Sequence, residues 1–466
     1  MIFNKLIPID ANGEIYSKTI DHSCRFNDDD SAYLNYTQAA GSRRKWTVSL
    51  WIKRCNISVV EMPLFYGNSV YEFLRFESGD TIMAGFNGYN KSFTPAYRDP
   101  TSWMHILWAV DTDQATAANR SRLYINGVEV TGYSGSDPPL NNDAVDIGVA
   151  SAVIYLAKKG SQAAYGDFYL AEPYFIDGSQ LTPSDFGEFK YNIWIPKDYS
   201  TPVAGNNCKL DFENSADLGN DISGNANDWT PSGLTTADQV EDSPTNNHPT
   251  LNVLHELATA TLANGNLDCS GTENEYATIT IPSSGKWGWK ITTAEAGSFG
   301  LEDIDGNEEV AADLISEVVE MLVDMDAGTL KKKVDGGSLE TIQATLNTSA
   351  EWYPHFKAAC SVDFGQLGYS PTESGYKTLC SDNLDNPTIE DCSKGVVTAK
   401  DTGANIAATL AAARSGWASR IGRLGPGKAG RKKRCGGRFW FKNFWLGRRN
   451  LLRTEIKILS SDLRHM

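Results

Sequence analysis

The strongest constraint on the fold is a regular alternation of apolar and polar residues in short segments bounded by turn residues. In residues 46–54, WTVSLWIKR, one face is apolar and the other polar: Trp46, Val48, Leu50 and Ile52 against Thr47, Ser49 and Lys53. Successive side chains of a β-strand point to opposite faces, so this alternation predicts a half-buried strand.

A β-hairpin is predicted in residues 121–130, SRLYINGVEV. Apolar alternation continues on both sides of Asn126-Gly127, a pair that accepts the positive φ angles of a two-residue hairpin turn. Further strands are indicated at residues 103–110 and 167–176, with turn-rich spacers between them. The first 200 residues therefore favour one antiparallel sandwich.

At 466 residues the chain is long enough for two or three domains. Residues 201–250 are rich in Asn, Asp, Gly, Ser, Thr and Pro, which indicates a closing strand at Lys209–Phe212 and then an irregular linker. Strand patterns return at 276–281, 285–292 and 352–364, and Trp287, Trp289 and Ile291 share a face. A second sandwich is predicted there.

Residues 308–325 fit two periodicities. Val310, Leu314, Val318 and Met321 have helical spacing, with acidic residues at the start, and this local pattern slightly favours a helix. The segment stays open on local grounds alone.

Charge is distributed unevenly along the chain, whose net charge is −16. Residues 414–466 contain fifteen Lys and Arg against two Asp and Glu, so an acidic body precedes a basic tail.

The eight Cys residues are scattered singly and are expected to be free thiols. The N-terminal residues lack a basic-then-apolar signal pattern, and no apolar run has the length of a membrane span, so we expect folding in a reducing cytoplasm.

Three segments carry a family resemblance: WTVSLWIKR, residues 98–130 (RDPTSWMHILWAVDTDQATAANRSRLYINGVEV) and residues 175–188 (FIDGSQLTPSDFGE). Together they resemble the concanavalin-like, laminin-G-type jelly roll of many tailed-phage fibre proteins. Residues 223–231, SGNANDWTP, are similar to the Asn-rich connector that follows that jelly roll. The resemblance implies a virion attachment protein.

A second resemblance covers residues 283–292, 318–337 and 351–366, which are similar to strand motifs of a SPRY-type sandwich. It implies that Val318–Met325 is a strand with Val319, Met321, Val323 and Met325 on one face, and we follow it there, leaving residues 308–316 open. Lys332 stands where relatives usually have an apolar residue, which an edge strand or a subunit contact would accommodate.

The predicted fold class is mainly β: two antiparallel β-sandwiches, a concanavalin-like jelly roll and then a SPRY-like sandwich, with an irregular basic C-terminal tail. The predicted organisation is an N-terminal arm at 1–22, the laminin-G-like jelly roll at 23–200, a closing strand and linker at 201–250, the SPRY-like sandwich at 251–395 and the basic segment at 396–466.

No catalytic centre is predicted. Concanavalin-like glucanases need two carboxylates close together on one strand face, and the nearest string, Glu302 to Glu308, is centred on Gly and Asn and reads as a turn. The spacing Asp303-x-Asp305-x-Asn307 is similar to a calcium loop, but its glycine falls at position four, whereas an EF-hand needs glycine at position six. Asp28-Asp29-Asp30 is interpreted as a solvated turn in preference to a calcium site at the sandwich rim.

Other site chemistries also lack a motif. The six His residues occur singly, without a partner at zinc-ligand spacing, and no phosphate loop, dinucleotide fingerprint or hydrolase elbow is present. We therefore expect no catalytic, cofactor-binding or metal-binding residues and no cofactor.

Binding is the remaining class of function. Trp46, Trp103, Trp108, Trp287 and Trp289 are expected to be packing residues, so a glycan site is predicted on loops 85–97 or 131–143, which combine aromatics with Asn and Asp. The basic tail, with Phe439, Trp440, Phe441, Phe444 and Trp445, is expected to dock on an acidic surface of its own chain or a neighbouring subunit; disorder, and contact with nucleic acid or membrane, are the lesser alternatives.

The sequence thus predicts a non-enzymatic phage virion component of tail-fibre type, assembled in the host cytoplasm. Its expected partners are other virion proteins, further copies in a trimer, and a host surface glycan. Two alternatives stay open: a purely structural head-decoration or tail-connector protein, and a polysaccharide depolymerase.

Overall fold

The computed structural model describes residues 16–190, 192–254, 261–271, 274–314, 317–384, 389–391 and 395–397. Residues 16–384 form one compact unit, and the described residues after 384 belong to a second unit. The described part of the second unit is one hairpin of β-strands, Ile389–Asp391 and Gly395–Val397. Nearly all of the basic segment predicted at 396–466 lies outside the described residues.

The first sandwich consists of two eight-stranded sheets, which we call sheets 1 and 2, and a small hairpin. Its strands are β1 (Ser23–Phe26), β2 (Tyr33–Thr37), β3 (Lys45–Arg54), β4 (Glu61–Gly67), β5 (Glu72–Glu77), β6 (Thr81–Phe86), β7 (Tyr89–Ala96), β8 (Met104–Asp111), β9 (Ser121–Ile125), β10 (Val128–Glu129), β11 (Tyr133–Gly135), β12 (Val153–Leu156), β13 (Phe168–Asp177), β14 (Gly187–Lys190), β15 (Ile193–Pro196), β16 (Cys208–Lys209), β17 (Thr230–Ser232) and β18 (Gln239–Val240).

Helical structure is sparse in the described residues. It comprises a four-residue α-helix, α1 (Pro183–Phe186), and short 3₁₀ turns at Ala117–Asn119, Thr236–Asp238 and Ser381–Asn383. No helix among the described residues has the length and hydropathy needed to cross a membrane. The mainly β fold class predicted from the sequence is confirmed.

Sheet 1 has the order β10-β9-β8-β3-β13-β1-β18, with β16 also paired to β13, and sheet 2 has the order β11-β7-β6-β5-β4-β12-β2-β17. Their facing surfaces share one apolar core, in which Trp46 stacks on Phe86 at 5.0 Å between ring centroids and meets Trp108 edge-on at 5.9 Å. The strands predicted at 46–54, 103–110 and 167–176 and the hairpin at Asn126–Gly127 are confirmed.

One expectation for β3 is wrong: the strand is not half-buried. Its second face, with Thr47, Ser49 and Lys53, is also buried. Part of that face is covered by the segment around α1, where Leu181 N donates to Thr47 Oγ1 at 2.9 Å. Another part is covered by the region that leads into the second sandwich, where Lys53 Nζ donates to Asn247 Oδ1 at 2.9 Å. A polar strand face is therefore enclosed by later parts of the chain.

Residues 201–240 are part of the first sandwich. β16 and β18 add to sheet 1, and β17 adds to sheet 2. Trp229, within the segment SGNANDWTP, is buried in the core and stacks obliquely on Tyr36 at 5.7 Å. The Asn and Asp side chains that indicated an irregular linker make backbone hydrogen bonds, such as Asn227 Nδ2 to Asn207 O at 2.7 Å.

The second sandwich packs an eight-stranded sheet 3 against a four-stranded sheet 4. Its strands are β19 (Thr261–Ala263), β20 (Asp268–Ser270), β21 (Glu275–Tyr276), β22 (Lys286–Thr293), β23 (Gly297–Asp303), β24 (Glu308–Leu314), β25 (Val318–Asp324), β26 (Thr329–Val334), β27 (Leu339–Gln343), β28 (Trp352–Lys357), β29 (Cys360–Asp363) and β30 (Lys377–Thr378). Sheet 3 has the order β19-β20-β29-β22-β25-β26-β27, with β30 parallel to β22, and sheet 4 has the order β21-β28-β23-β24.

The ambiguous segment 308–325 forms two strands, β24 and β25. Val319, Met321 and Val323 are fully buried in the core shared by sheets 3 and 4, as the strand interpretation predicts. The helix that the local spacing favours is not formed, because the backbone of β25 makes its hydrogen bonds with β22 and β26 in the sheet. β26 is not an edge strand; Lys332 lies opposite Met321 and forms an ion pair with Glu340 at 3.4 Å.

A buried polar junction joins the two sandwiches. Lys53 Nζ donates to Asp242 Oδ2 at 2.7 Å and to His248 O at 2.5 Å, and Trp103 Nε1 donates to Asp242 Oδ1 at 2.8 Å. The turn that leads into β20 contributes Gly265 O, which accepts from Tyr169 Oη at 2.6 Å. These bonds fix the second sandwich against sheet 1.

Candidate functional site

The loops at one end of the first sandwich form a continuous surface, which we call the distal rim. It consists of residues 68–71, 87–89, 112–120 and 136–152. β3 begins at this end and reaches the junction near Lys53, so at about 3.3 Å per residue the rim lies roughly 25–30 Å from the second sandwich along that strand. The distal rim is therefore well separated from the junction.

Strand pairing brings the two predicted glycan loops together at this rim. β7 pairs with β11, with Phe93 opposite Tyr133 and Lys91 opposite Gly135. The prediction that 85–97 is a loop is wrong, because residues 89–96 form β7, and 133–135 within the second predicted loop form β11. The remaining turn at 87–88 and loop at 136–143 are neighbours at the rim, and no local sequence pattern joins them. These two segments meet because β11 lies at the edge of sheet 2 and pairs with β7.

Hydrogen bonds between loops hold the distal rim in shape. Asn87 Nδ2 donates to Asp143 O at 3.0 Å and to Asn142 Oδ1 at 3.3 Å, and Asn141 N donates to Thr112 O at 2.8 Å. Asn87 N also donates to Tyr71 O at 3.0 Å. The rim is thus pre-formed, which reduces the entropy lost when a ligand binds.

Two aromatic side chains at the distal rim are open to solvent: Tyr71 is 49% exposed and Tyr89 is 37% exposed. Tyr133 is different, because its ring covers the Lys91 ammonium at 4.3 Å and its hydroxyl donates to Asp137 Oδ1 at 3.0 Å. Tyr71 and Tyr89 are therefore the rings available to an incoming ligand, beside the amides and carboxylates of the same loops.

The tryptophans expected to be packing residues are all buried. Trp46, Trp108, Trp287 and Trp289 lie in the two cores, and Trp103 lies at the junction.

Six Cys residues in the described part are free and buried, whereas Cys392 and Cys435 lie outside it. His105 is fully buried, and burial lowers its pKa to about 3, so it is neutral at physiological pH.

The two acidic segments considered as calcium loops form turns. Asp28, Asp29 and Asp30 are exposed before β2. Burial, together with the charges of Asp28 and Asp29, raises the pKa of nearby Asp167 to about 8. Asp303 Oδ1 accepts from the backbone N of Asp305 at 3.0 Å, which closes the β23–β24 turn.

A second cluster lies on the outer face of sheet 4. Glu302 and Glu308 are directly opposite each other on β23 and β24, and His355 on β28 is adjacent, with Nε2 at 3.3 Å from Glu302 Oε2. One potential ligand atom from each of the three residues lies within 4.8 Å of the others. The turn signal at 303–307 could have placed the two glutamates together, but nothing in the sequence pointed to His355.

Comparison with protein families identifies the first sandwich. Residues 27–167 match the family of the concanavalin A-like lectin/glucanases superfamily, of laminin G type. The chain contains a laminin-G-type jelly roll. Because this match covers less than half of the chain, it describes the first sandwich alone; among curated proteins no match is found.

Solved structures with low similarity to this chain are also found. A heptameric SAP-like pentraxin from Limulus polyphemus has 15% identity and a TM-score of 0.28, covering 35% of this chain and 78% of its own. The LG4-5 domains of the mouse laminin α1 chain have 8% identity and a TM-score of 0.27, covering 85% of this chain and 96% of their own. A lectin-type fold of this kind is compatible with binding of carbohydrate or protein.

Proposed function

We propose that this protein is a non-enzymatic phage virion component of tail-fibre type, which attaches to a host surface glycan through the distal rim of its laminin-G-type domain. The observation that carries the proposal is that exposed Tyr71 and Tyr89 flank the turn at 87–88, where Asn87 donates to Asp143 O and so joins two loops of one pre-formed rim. Aromatic faces stack on sugar rings, and amide and carboxylate groups bond sugar hydroxyls.

Affinity is expected to come from several copies. One shallow rim offers few anchors, but linked sites on one particle raise apparent affinity by about two to four orders of magnitude. We propose a trimer built with other virion proteins. In this proposal the second sandwich is a SPRY-like platform, on the strength of the motifs at 283–292, 318–337 and 351–366.

The first test measures binding of the purified, size-characterised oligomer to host cells and to a bacterial glycan array, before and after periodate oxidation of the sugars. Saturable binding that periodate abolishes, without release of reducing sugar, supports the proposal. Release of reducing sugar would replace it with a depolymerase.

Variants connect that binding to the distal rim. Loss of one stacking ring is worth about 0.5–1.5 kcal/mol, so Tyr89→Ala and Tyr71→Ala should each weaken binding by roughly twofold to tenfold per site. Phe189→Ala is the matched control, since Phe189 is an aromatic residue 55% exposed on β14, away from the rim. Equal losses in all three variants would contradict the assignment of the rim.

A purely structural role, as a head-decoration or tail-connector protein, is the second candidate. The junction favours it, because the fully buried pair of Lys53 and Asp242 ties the two sandwiches together, as a load-bearing part requires. A correctly assembled oligomer that binds neither cells nor any glycan would select this candidate.

A further inference from the structure

We infer that Glu302, Glu308 and His355 form a binding site for a divalent transition-metal ion, with zinc as the best-fitting ion, on the outer face of sheet 4. This inference is independent of the glycan proposal, because the cluster belongs to the second sandwich and shares no residue with the distal rim.

The backbone sets the positions of all three side chains. The Asp303–Asn307 turn places Glu302 directly opposite Glu308, so both carboxylates lie on one face of the hairpin. The neighbouring strand β28 pairs Gly300 with His355, one position along the same face. Three ligands of two types, carboxylate and imidazole, are thus fixed by strand register.

The distances suit a small ion. Zinc binds imidazole nitrogen and carboxylate oxygen at about 2.0–2.2 Å, so two ligand atoms on a tetrahedral ion lie about 3.4 Å apart. His355 Nε2 and Glu302 Oε2 are already 3.3 Å apart. Glu308 completes a set in which one ligand atom of each residue lies within 4.8 Å of the others.

The local charge balance favours a cation. Like charges directly opposite each other across two strands are destabilising unless a positive group lies between them. Lys357 Nζ bonds Glu308 Oε1 at 3.0 Å, but no lysine or arginine in the described residues forms an ion pair with Glu302. An ion between the two carboxylates would offset both charges, while Lys357 keeps its bond to the outer oxygen of Glu308.

The neighbours of His355 hold its ring in place. The side chain is fully buried, and Tyr276 on β21 stacks over it with 5.1 Å between ring centroids and 23° between planes. A fixed imidazole costs little entropy when it binds a metal. One imidazole and two carboxylates provide three protein ligands, which leaves a fourth tetrahedral position for water or an exogenous ligand.

The test uses the full chain after treatment with a chelator, and measures zinc binding by competition with a chromophoric chelator. The wild type should bind zinc with one equivalent that depends on this cluster. Glu302→Gln and Glu308→Gln keep side-chain shape but remove a ligand charge, and each should weaken that equivalent at least about tenfold. Asp305→Asn is the control, because it removes one exposed carboxylate from the same turn.

A second readout separates ion binding from folding. Zinc should raise the unfolding temperature of the wild type and of Asp305→Asn, but not of Glu302→Gln, since a ligand stabilises only the state that binds it. Circular dichroism of each zinc-free variant checks that the sheets are intact. Equal zinc affinity in the wild type and both glutamine variants, or a wild type that binds no zinc at micromolar concentration, would overturn the inference.

Discussion

Lys53 and Asp242 form a completely enclosed ion pair: Nζ and Oδ2 are 2.7 Å apart and both side chains are 0% exposed. Lys53 lies on β3 of the first sandwich, and Asp242 lies in the segment that leads to the second. The remaining hydrogen bonds of both groups are satisfied by Asn247, His248 and Trp103. The junction between the sandwiches therefore contains a buried charge pair whose two groups are fully hydrogen-bonded.

Lys53→Met should strongly destabilise the protein. Removing one partner leaves the Asp242 carboxylate buried without its counter-charge, which costs about 3–5 kcal/mol in the free energy of unfolding. Urea unfolding followed by tryptophan fluorescence measures this. Glu340→Gln is the control, because its pair with Lys332 is 3.4 Å long and Glu340 is 59% exposed, so a loss below about 1 kcal/mol is expected. Similar losses in both variants would count against the importance of the junction.

Gly127→Ala and Gly88→Ala separate backbone strain from steric contact. Both glycines follow Asn in a hairpin turn, with φ of +80° and +82°. A Cβ at Gly88 meets nothing within 4 Å, whereas one at Gly127 falls 2.4 Å from the Trp194 ring. Gly88→Ala should cost about 1 kcal/mol of unfolding free energy, and Gly127→Ala clearly more. Equal shifts in the unfolding temperature of the two variants would show that the Trp194 ring moves aside with no loss of unfolding free energy.

His105 should make stability fall in mild acid. Trp194 Nε1 donates to Nδ1 at 3.1 Å, so Nε2 carries the proton and donates to Ser49 Oγ at 2.8 Å. Burial lowers the folded-state pKa to about 3, against an ordinary 6.5. The stability due to the neutral ring is fully present above pH 6.5 and is lost as pH falls towards 3, by up to about 1.4 kcal/mol per pH unit.

The measurement for His105 is the free energy of unfolding of the wild type and His105→Gln between pH 7 and pH 4. Carboxylates titrate in both proteins, so the difference between the two curves isolates the imidazole. The wild type should lose more stability than the variant across this range. Parallel curves would mean that His105 is not buried as a neutral ring.

Asp167→Asn should stabilise the protein at neutral and alkaline pH. Burial, with the charges of Asp28 and Asp29, raises the pKa of Asp167 to about 8 from 3.8. The stability due to the neutral carboxyl is fully present below pH 3.8 and is lost as pH rises through 8. The variant should therefore gain about 1 kcal/mol or more at pH 8 and nothing at pH 3.5.

Asp29→Asn provides the companion experiment for Asp167. It removes one of the charges that raise the pKa of Asp167, so it should stabilise in the same direction by a smaller amount. Thermal unfolding of both variants across this pH range measures the effect. A gain for Asp167→Asn that does not change with pH would contradict the titration.

The local sequence pattern by itself is enough to predict several strands and their core-facing side chains. Period-two alternation fixes which face of a strand is apolar, and so Trp46, Val48, Leu50 and Ile52 were assigned correctly to the core. Asn126-Gly127 fixed a hairpin turn because few other residues accept its backbone angles. For Val318–Asp324 the period alone favoured a helix, and the family resemblance gave the correct strand.

What covers each strand face, and which distant residues meet, depends on tertiary contacts. Alternation does not reveal that residues such as Asn247 and His248 would enclose Lys53, because burial of a second face depends on contacts far apart in sequence. The same holds for segments 85–97 and 131–143, joined by β7–β11 pairing, and for His355 beside Glu302. Strand register across a sheet is set by the whole core, so these candidate sites required the folded chain.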